Sequence, residues 1–128
     1  MSLNNPIANM MSKILNAEKA KKTEVVVKPA SKVTLTVLNV LKTNGYITGF
    51  SENKEDYSIK IEIGGNINKC GAISPNFNVK ASEFDFYEKR YLPAKDFGIL
   101  IITTPEGIMT NNEAKEKKTG GRLLAYCY

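Results

Sequence analysis

The side chains that could carry out chemistry in this 128-residue chain are few, because it contains no histidine and only two cysteines. General acid–base catalysis usually uses a histidine, or carboxylates whose surroundings shift their pKa values. The acidic residues here are scattered beside lysines in segments that we expect to be exposed. Cys70 as a nucleophile would lack an imidazole base. The sequence therefore predicts that the protein is not an enzyme and has no small-molecule substrate.

The two cysteines and the Gly120-Gly121 pair are the remaining candidates for a ligand site. Cys70 and Cys127 match no metal-ligand spacing, and a zinc site would need two thiolates and two carboxylates, which is an unusual set. We expect two buried reduced thiols, no metal and no cofactor. Gly120-Gly121 follows a predicted helix instead of preceding one, so it is not a nucleotide-binding loop. Glycine there favours a tight turn, or close approach of another backbone, protein or RNA.

Positive charge is concentrated near the start of the chain, whose formal net charge is +5. Residues 13–32 include two acidic residues, Glu18 and Glu24, and six lysines, which are Lys13, Lys19, Lys21, Lys22, Lys28 and Lys32. Clustered lysines neutralise phosphates and release counterions, which gives salt-dependent affinity for a nucleic acid. A solvated helix face and turn would show the same charges, so the cluster alone leaves both interpretations open.

The elements that would position these residues follow from local patterns. In the first half, an apolar stripe at helical spacing (Ile7, Met10, Met11, Ile14 and Leu15) predicts a helix opened by Asn5-Pro6. The pattern then predicts a strand over 24–28, a helix capped by Ser31 and stopped by Gly45, and strands over 46–50 and 57–63 joined by a polar tip at 51–56. The second strand alternates, with Tyr57, Ile59, Ile61 and Ile63 on one face.

In the second half, the sequence predicts irregular structure and short strands over 67–80 and a short helix over 82–91. A buried strand over 99–103 and a turn at 105–107 follow. Thr110, with Glu113 three residues on, has the capping-box pattern of a helix start, and we expect this helix to run to about Lys118 and to end at Gly120-Gly121. A last strand covers 122–128.

The whole pattern predicts an α/β (α+β) chain in two small lobes. Residues 1–65 form an α-β-α-β-β lobe, residues 66–128 form a mostly antiparallel sheet with a short helix, and Gly64-Gly65 marks the boundary. No apolar run approaches the roughly 20 residues that span a bilayer. The first residues resemble neither a secretory signal nor a transit peptide, so we expect a cytoplasmic protein without membrane contact.

With these residues laid out, the chain resembles the universal eighth protein of the small ribosomal subunit, in its archaeal and eukaryotic form. The likeness runs almost from end to end. The blocks that carry it are residues 5–17 with Ile14-Leu15-Asn16-Ala17-Glu18, Ser31-Lys32-Val33, Gly45-Tyr46-Ile47, Asn68-Lys69-Cys70-Gly71-Ala72-Ile73-Ser74-Pro75, Leu92-Pro93, Phe97-Gly98, Gly107-Ile108-Met109-Thr110, Glu113-Ala114 and Thr119-Gly120-Gly121-Arg122-Leu123-Leu124.

This resemblance implies a two-lobe structural protein of the small ribosomal subunit. It implies binding to an irregular helix in the central domain of the small-subunit rRNA, an early role in organising that domain during assembly, and neighbouring small-subunit ribosomal proteins as partners. A free regulatory RNA-binding protein, recognising a messenger RNA that mimics the ribosomal site, is the alternative.

The resemblance also implies where RNA is bound. In the family, the main RNA contact is made by a hydroxyl-rich loop after the buried strand, together with the turn glycines before the last strand. The first helix and the loop before the second helix add further contacts. With the lysine pair of the basic cluster and the arginine beside the turn glycines, the predicted RNA-binding residues are Asn5, Lys13, Asn16, Lys21, Lys22, Ser31, Lys32, Thr103, Thr104, Gly107, Gly120, Gly121 and Arg122.

Three positions depart from the family's pattern. Pro105 stands where the loop has its third hydroxyl, and Glu106 replaces a residue that is often small or basic. Proline has no N–H to donate, and a carboxylate beside phosphates is repulsive. Asn76 stands where relatives often carry arginine. The loop that should hold RNA most firmly is therefore where this sequence differs.

Overall fold

The structure is a computed structural model that describes residues 4–28, 30–73, 78–94 and 97–128, without the side chains of Asn4 and Asn5. The expectations for Ser74, Pro75 and Asn76, and for the Asn5 side chain, lie outside the described residues. The elements are α1 (Asn4–Lys19), β1 (Glu24–Val27), α2 (Lys32–Thr43), β2 (Gly49–Asn53), β3 (Ser58–Glu62), β4 (Cys70–Ala72), β5 (Asn78–Val79), a 3-10 turn (Ala81–Glu83), α3 (Phe84–Tyr91), β6 (Ile99–Thr104), β7 (Gly107–Thr110), α4 (Asn111–Glu116) and β8 (Gly121–Cys127).

The two helices of the N-terminal lobe form where the apolar periodicity predicts them. Ile7, Met10, Met11 and Ile14 of α1 are all at most 1% exposed, so the stripe is core, as expected. Ser31 caps α2 as predicted, because its side chain accepts a hydrogen bond from the backbone N–H of Thr34 at 3.2 Å. The Thr34 side-chain hydroxyl in turn accepts a hydrogen bond from the Ser31 backbone N–H. The backbone N–H groups of Ser31 and Thr34 at the start of α2 are thus satisfied locally.

The N-terminal sheet has the order β1-β3-β2 with antiparallel pairing throughout. The predicted α-β-α-β-β order is confirmed, but the strand expected over 46–50 is wrong in position, because β2 covers Gly49–Asn53. An edge strand needs no apolar run, and its polar residues were assigned to the hairpin tip. The prediction that Tyr57 shares a strand face with Ile59 and Ile61 is also wrong. Tyr57 lies in the turn with φ +58° and is 65% exposed, whereas the two isoleucines are buried.

The C-terminal sheet has the order β4-β8-β6-β7, and β5 pairs with β8 beyond β4. All of its pairings are antiparallel, as predicted. The sequence does not predict strand β7, because Gly107 belongs to the predicted turn and Thr110 to the predicted helix start. Strand β7 pairs with β6 in a hairpin whose turn is Pro105-Glu106.

Helices α3 and α4 pack on the face of this sheet that holds Leu100, Ile102 and Leu123. The expected exposure of all acidic residues is wrong for Glu88, which is 8% exposed. Its carboxylate accepts from the Asn111 side chain and from Lys115 at 2.6 Å, while the Asn111 side-chain oxygen accepts from Leu100 N at 3.2 Å. A polar network therefore joins the two helices to β6.

Three helices end with the same hydrogen-bond pattern, in which one residue takes the left-handed conformation. Gly45 does so after α2, with φ +83°, as the sequence predicts. Lys21 after α1 and Lys118 after α4 do so with φ +58° and +54°. Such positions usually hold glycine. The prediction that Gly120-Gly121 ends the last helix is therefore wrong, because α4 ends at Glu116 and Lys118 supplies the turn.

The hydrophobic core crosses from one lobe to the other. Helix α1 contacts both sheets, and its buried face belongs to one cluster with Ile59 and Ile61 of β3 and with Ile101 and Cys127 of the C-terminal sheet. The C-terminal sheet thus has α1 on one face and α3 with α4 on the other. The lobes are held in one arrangement, which fixes where their surface residues stand.

Candidate RNA interface

Four of the residues predicted in the C-terminal lobe line a cleft of about 490 Å³; they are Thr103, Thr104, Gly121 and Arg122. We call it the hydroxyl cleft. It lies where the end of β6 and the start of β8 meet β5 and the following turn. Its lining residues are Asn78, Val79, Lys80, Glu83, Thr103, Thr104, Pro105, Gly121 and Arg122.

The two glycines at this cleft are required by close backbone packing. A Cβ atom on Gly121 would collide with the carbonyl oxygen of Thr103, and one on Gly120 with the carbonyl oxygen of Val79. These neighbours are backbone atoms of adjacent strands, so they cannot move aside without separating the strands. The sequence left open a tight turn or the close approach of another backbone at these glycines. In the structure, the protein's own backbone approaches them closely.

Thr104 holds the β6–β7 turn through its hydroxyl. The hydroxyl donates to the Gly107 carbonyl at 2.8 Å and accepts from Glu106 N–H at 3.1 Å, and the residue is 9% exposed. Gly107 has φ +122°, which a residue with a side chain rarely adopts. The hydrogen bonds of the Thr104 hydroxyl are thus made within the turn. Its contribution to a ligand site is to fix the conformation of the loop.

Thr103 and Arg122 are better placed to meet a ligand. They are partners across β6 and β8; Thr103 is half-buried and Arg122 is exposed. None of the hydrogen bonds found among the described residues uses the Thr103 hydroxyl. Lys80, also exposed, adds a second cation to the lining. The hydroxyl cleft therefore combines a hydroxyl, two cations and strand-end backbone on a rigid base.

Residues of the N-terminal lobe line a second cavity of about 550 Å³, which we call the lysine groove. It runs along the exposed side of α1 and the start of β1. Of the predicted residues it brings together Lys13, Asn16 and Lys22. The remaining lining residues are Ala17, Ala20, Glu24, Val25 and Val26.

The acidic residues near the lysine groove are engaged elsewhere. Glu24 pairs with Lys60 at 3.1 Å, and Glu18 accepts from Gly65 N–H at 3.2 Å. Within the described part of the chain, the ion pairs found involve neither Lys13 nor Lys22. The positive charge of the groove is therefore available to an anionic partner.

The other predicted residues lie outside these two linings. Lys21 is exposed in the turn after α1, and Lys32 is exposed at the start of α2. The Ser31 hydroxyl is used by the helix cap. Gly107 is in the β6–β7 turn, and Gly120 packs behind the hydroxyl cleft against β5.

The sequence does not predict Asn78, Lys80 and Glu83 as site residues, because it indicates only irregular structure with short strands over 67–80 and a short helix over 82–91. The available signal was the alternation Asn78-Val79-Lys80, in which only Val79 is buried. Glu83 accepts a hydrogen bond from Lys80 N–H at 2.9 Å, which fixes the bend after β5. These residues complete the wall opposite Thr103.

A third cavity, of about 410 Å³, includes Glu88 and is the place where a catalytic carboxylate would be sought. Burial alone lowers the pKa of Lys115, but its hydrogen bond and charge attraction to Glu88, with help from Asp85, outweigh burial and raise that pKa. Lys115 is thus held in its charged form, and its contact with Glu88 is a structural link between α3 and α4. Across residues 4–28, 30–73, 78–94 and 97–128, no cluster of potential metal ligands was found. Nor is any helix in these ranges long and apolar enough to cross a bilayer.

A two-lobed α+β fold that exposes one basic groove and one cleft of hydroxyl, amide and cationic groups has the chemistry that an RNA-binding protein needs. The family model described as Ribosomal protein S8 matches residues 5–128, nearly the whole chain, and the chain belongs to this family. It is accordingly an rRNA-binding structural constituent of the small ribosomal subunit, with a role in translation and in a family that is not one of enzymes. The family resemblance stated from the sequence is confirmed, and its assignment to the archaeal and eukaryotic form stays a prediction.

Proposed function

We propose that this protein binds an irregular helix in the central domain of the small-subunit rRNA, and that it helps to organise this domain during assembly. The hydroxyl cleft makes the specific contact, and the lysine groove contributes affinity through the phosphate backbone. Neighbouring small-subunit proteins and the rRNA are its partners in the cytoplasmic subunit.

The observation that carries this proposal is the grouping of Thr103, Thr104, Gly121 and Arg122 around a single cleft. RNA helices that depart from regular A-form expose base edges and 2′-hydroxyl groups, which short hydroxyl side chains and backbone groups can reach. Arg122 and Lys80 flank the cleft and can position a phosphate, although such contacts carry little sequence information.

The departures at Pro105 and Glu106 refine the proposal. Both residues are exposed at the tip of the β6–β7 turn, and Glu106 uses its N–H to hold Thr104. An exposed carboxylate repels phosphates. We therefore place the RNA backbone on the Lys80 and Arg122 side of the hydroxyl cleft, and a base edge or a 2′-hydroxyl at Thr103.

Crosslinking of RNA in intact cells, followed by sequencing, tests this function. We expect crosslinks concentrated on one helix of the central domain of small-subunit rRNA, reduced by Arg122→Gln and unchanged by Lys54→Gln. Lys54 is a matched control because it is exposed in the β2–β3 hairpin and lines neither cavity. Crosslinks confined to one messenger RNA, in protein that does not sediment with small subunits after a high-salt wash, would replace the proposal by the regulatory alternative.

A further inference from the structure

The two cysteines, 57 positions apart in the sequence, lie opposite each other in the C-terminal sheet. Cys70 in β4 and Cys127 in β8 are direct partners in the antiparallel register. Both are unpaired thiols and nearly inaccessible, at 3% and 0% exposure. The RNA-binding function uses neither residue, because the hydroxyl cleft lies at the other end of β8.

The hydrogen bonds around this pair define its geometry. Lys69 and Tyr128 exchange both backbone hydrogen bonds, at 2.9 and 2.8 Å, and four residues further along the strand the Ile73 N–H donates to the Leu124 carbonyl at 2.9 Å. Cys70 and Cys127 therefore occupy a non-hydrogen-bonded position of the ladder. Such positions bring opposite Cα atoms to about 4.5 Å, with side chains closer than at the alternating positions. That separation falls within the range of roughly 4.4–6.8 Å at which disulfides form.

The two sulfur atoms also interact directly in the reduced protein. A side-chain hydrogen bond with Cys70, together with burial, raises the pKa of the Cys127 thiol. The Cys70 Sγ in turn donates to the Met11 carbonyl at 3.5 Å. A thiol is a poor nucleophile compared with a thiolate, so the raised pKa makes the Cys127 sulfur unreactive, and burial shields both sulfur atoms from oxidants in the closed protein.

We propose that Cys70 and Cys127 are a reversible disulfide site, which joins β4 to β8 within one chain when a peroxide oxidises the protein. Access to the site requires local opening of β4. This strand has three residues, lies at one end of the described sheet order, and follows the exposed residues Asn68 and Lys69. Short edge strands open at a much lower free energy than a central strand.

The chemistry is balanced with hydrogen peroxide as the oxidant. After β4 opens, the Cys70 thiol loses its proton and the thiolate attacks one peroxide oxygen, which breaks the O–O bond and gives a sulfenic acid and water. The Cys127 sulfur then attacks the Cys70 sulfur, forms the S–S bond and expels a second water. Two thiols and one peroxide thus give one disulfide and two waters, and a dithiol reductant reverses the step by exchange.

The bond would tie the end of β8 to the segment that enters the C-terminal lobe from the N-terminal lobe. It would close a loop that contains β5, α3, β6, β7 and α4. A crosslink of this kind stabilises chiefly by restricting the unfolded chain, so we expect the unfolding equilibrium constant to fall by roughly 100-fold. The hydroxyl cleft lies near the opposite end of β8, so specific RNA affinity should not change.

Peroxide treatment of the folded full-length protein, followed by non-reducing peptide mapping, tests the site. We expect a monomer that has lost two hydrogen atoms in mass, a linked peptide pair containing Cys70 and Cys127, and a raised urea midpoint that returns after reduction. Urea below the unfolding transition should accelerate the reaction. Cys70→Ala should give no linked peptide and no such shift in midpoint.

Several outcomes would overturn the proposal. They are two free thiols after prolonged peroxide treatment in sub-denaturing urea, disulfides formed only between chains, and oxidation of either sulfur to a sulfinic acid without a linked peptide. These three outcomes are all measured on the unmodified sequence, so the test still holds if the Cys70→Ala control fails to fold. RNA binding of the reduced protein is scored separately, so that loss of the RNA-binding proposal and loss of this one remain distinguishable.

Discussion

The hydroxyl cleft and the lysine groove are built from different parts of the protein. At the hydroxyl cleft, three strands approach so closely that Gly120 and Gly121 leave no room for a side chain, and a threonine hydroxyl fixes the adjoining turn. At the lysine groove, Lys13, Asn16 and Lys22 project from a helix face and its end. Rigid backbone can discriminate between RNA shapes, whereas long lysines on a solvated surface attract any phosphate backbone. The difference predicts that shape selection and general affinity are separable by mutation.

The largest effect should come from Gly121→Ala. The added Cβ meets the Thr103 carbonyl and has Ile102 as a further neighbour at 2.9 Å, so β6 and β8 must separate locally. We expect the free energy of unfolding to fall by about 3 kcal/mol, measured by urea denaturation. Gly49→Ala is the matched control, because its Cβ would find only an ordinary contact at 3.7 Å with the Glu62 side chain. Equal effects of the two substitutions would show that the hydroxyl cleft is less rigid than the comparison requires.

The next effect separates the two threonines of the cleft. Thr104→Val removes the hydroxyl that bonds Glu106 and Gly107, so we expect the free energy of unfolding to fall by about 1–2 kcal/mol. Thr103→Val should leave stability nearly unchanged and weaken binding to the specific rRNA helix by roughly tenfold, the value of one hydrogen bond. Calorimetric or fluorescence titration with the specific helix and with a random RNA of equal length measures this. An equal loss on both RNAs would contradict a specific contact at Thr103.

Replacing Lys13 and Lys22 by glutamine should have a smaller and unspecific effect. Affinity should fall by a similar factor for the specific helix and for random RNA, and the slope of log affinity against log salt should become shallower by roughly 2. Lys42 and Lys54 provide a matched double substitution, because both are exposed and line neither cavity. A loss confined to the specific helix would mean that the lysine groove reads RNA shape after all.

The same contrast explains how much of the structure the sequence could predict. Helices α1 and α2 depend on local periodicity and caps, so the sequence predicts both of them, and it predicts α2 with its boundaries at Ser31 and Gly45. The misses depend on partners distant in sequence. Glu88 is buried because α4 brings Lys115 and Asn111 to it, and Cys70 meets Cys127 only through strand pairing. Strand β7 is the exception, because its partner β6 is adjacent in the chain.

The two proposed RNA surfaces differ in the same respect. The residue types at the hydroxyl cleft follow from the family resemblance, but the wall formed by Asn78 and Lys80 requires the pairing of β5 with β8. The lysine groove was nearer to prediction, because helix periodicity places Lys13 and Asn16 together on the side of α1 that the apolar stripe leaves exposed. The sequence could not predict the turn after α1, which places Lys22 but not Lys21 in the lining of the lysine groove.

That turn gives the smallest predicted effect. Lys21 adopts φ +58° in a helix end where Gly45 serves the same purpose for α2, and a side chain in this conformation costs about 1–2 kcal/mol. Glycine avoids this cost but loses more conformational entropy on folding, about 0.5–1 kcal/mol. We therefore expect Lys21→Gly to raise the free energy of unfolding by roughly 0.5 kcal/mol. Lys21→Ala removes the same charge without relieving the strain and should not stabilise. Because Lys21 does not line the lysine groove, its loss should reduce RNA affinity less than Lys22→Gln does, and an equal reduction would extend the groove around the end of α1.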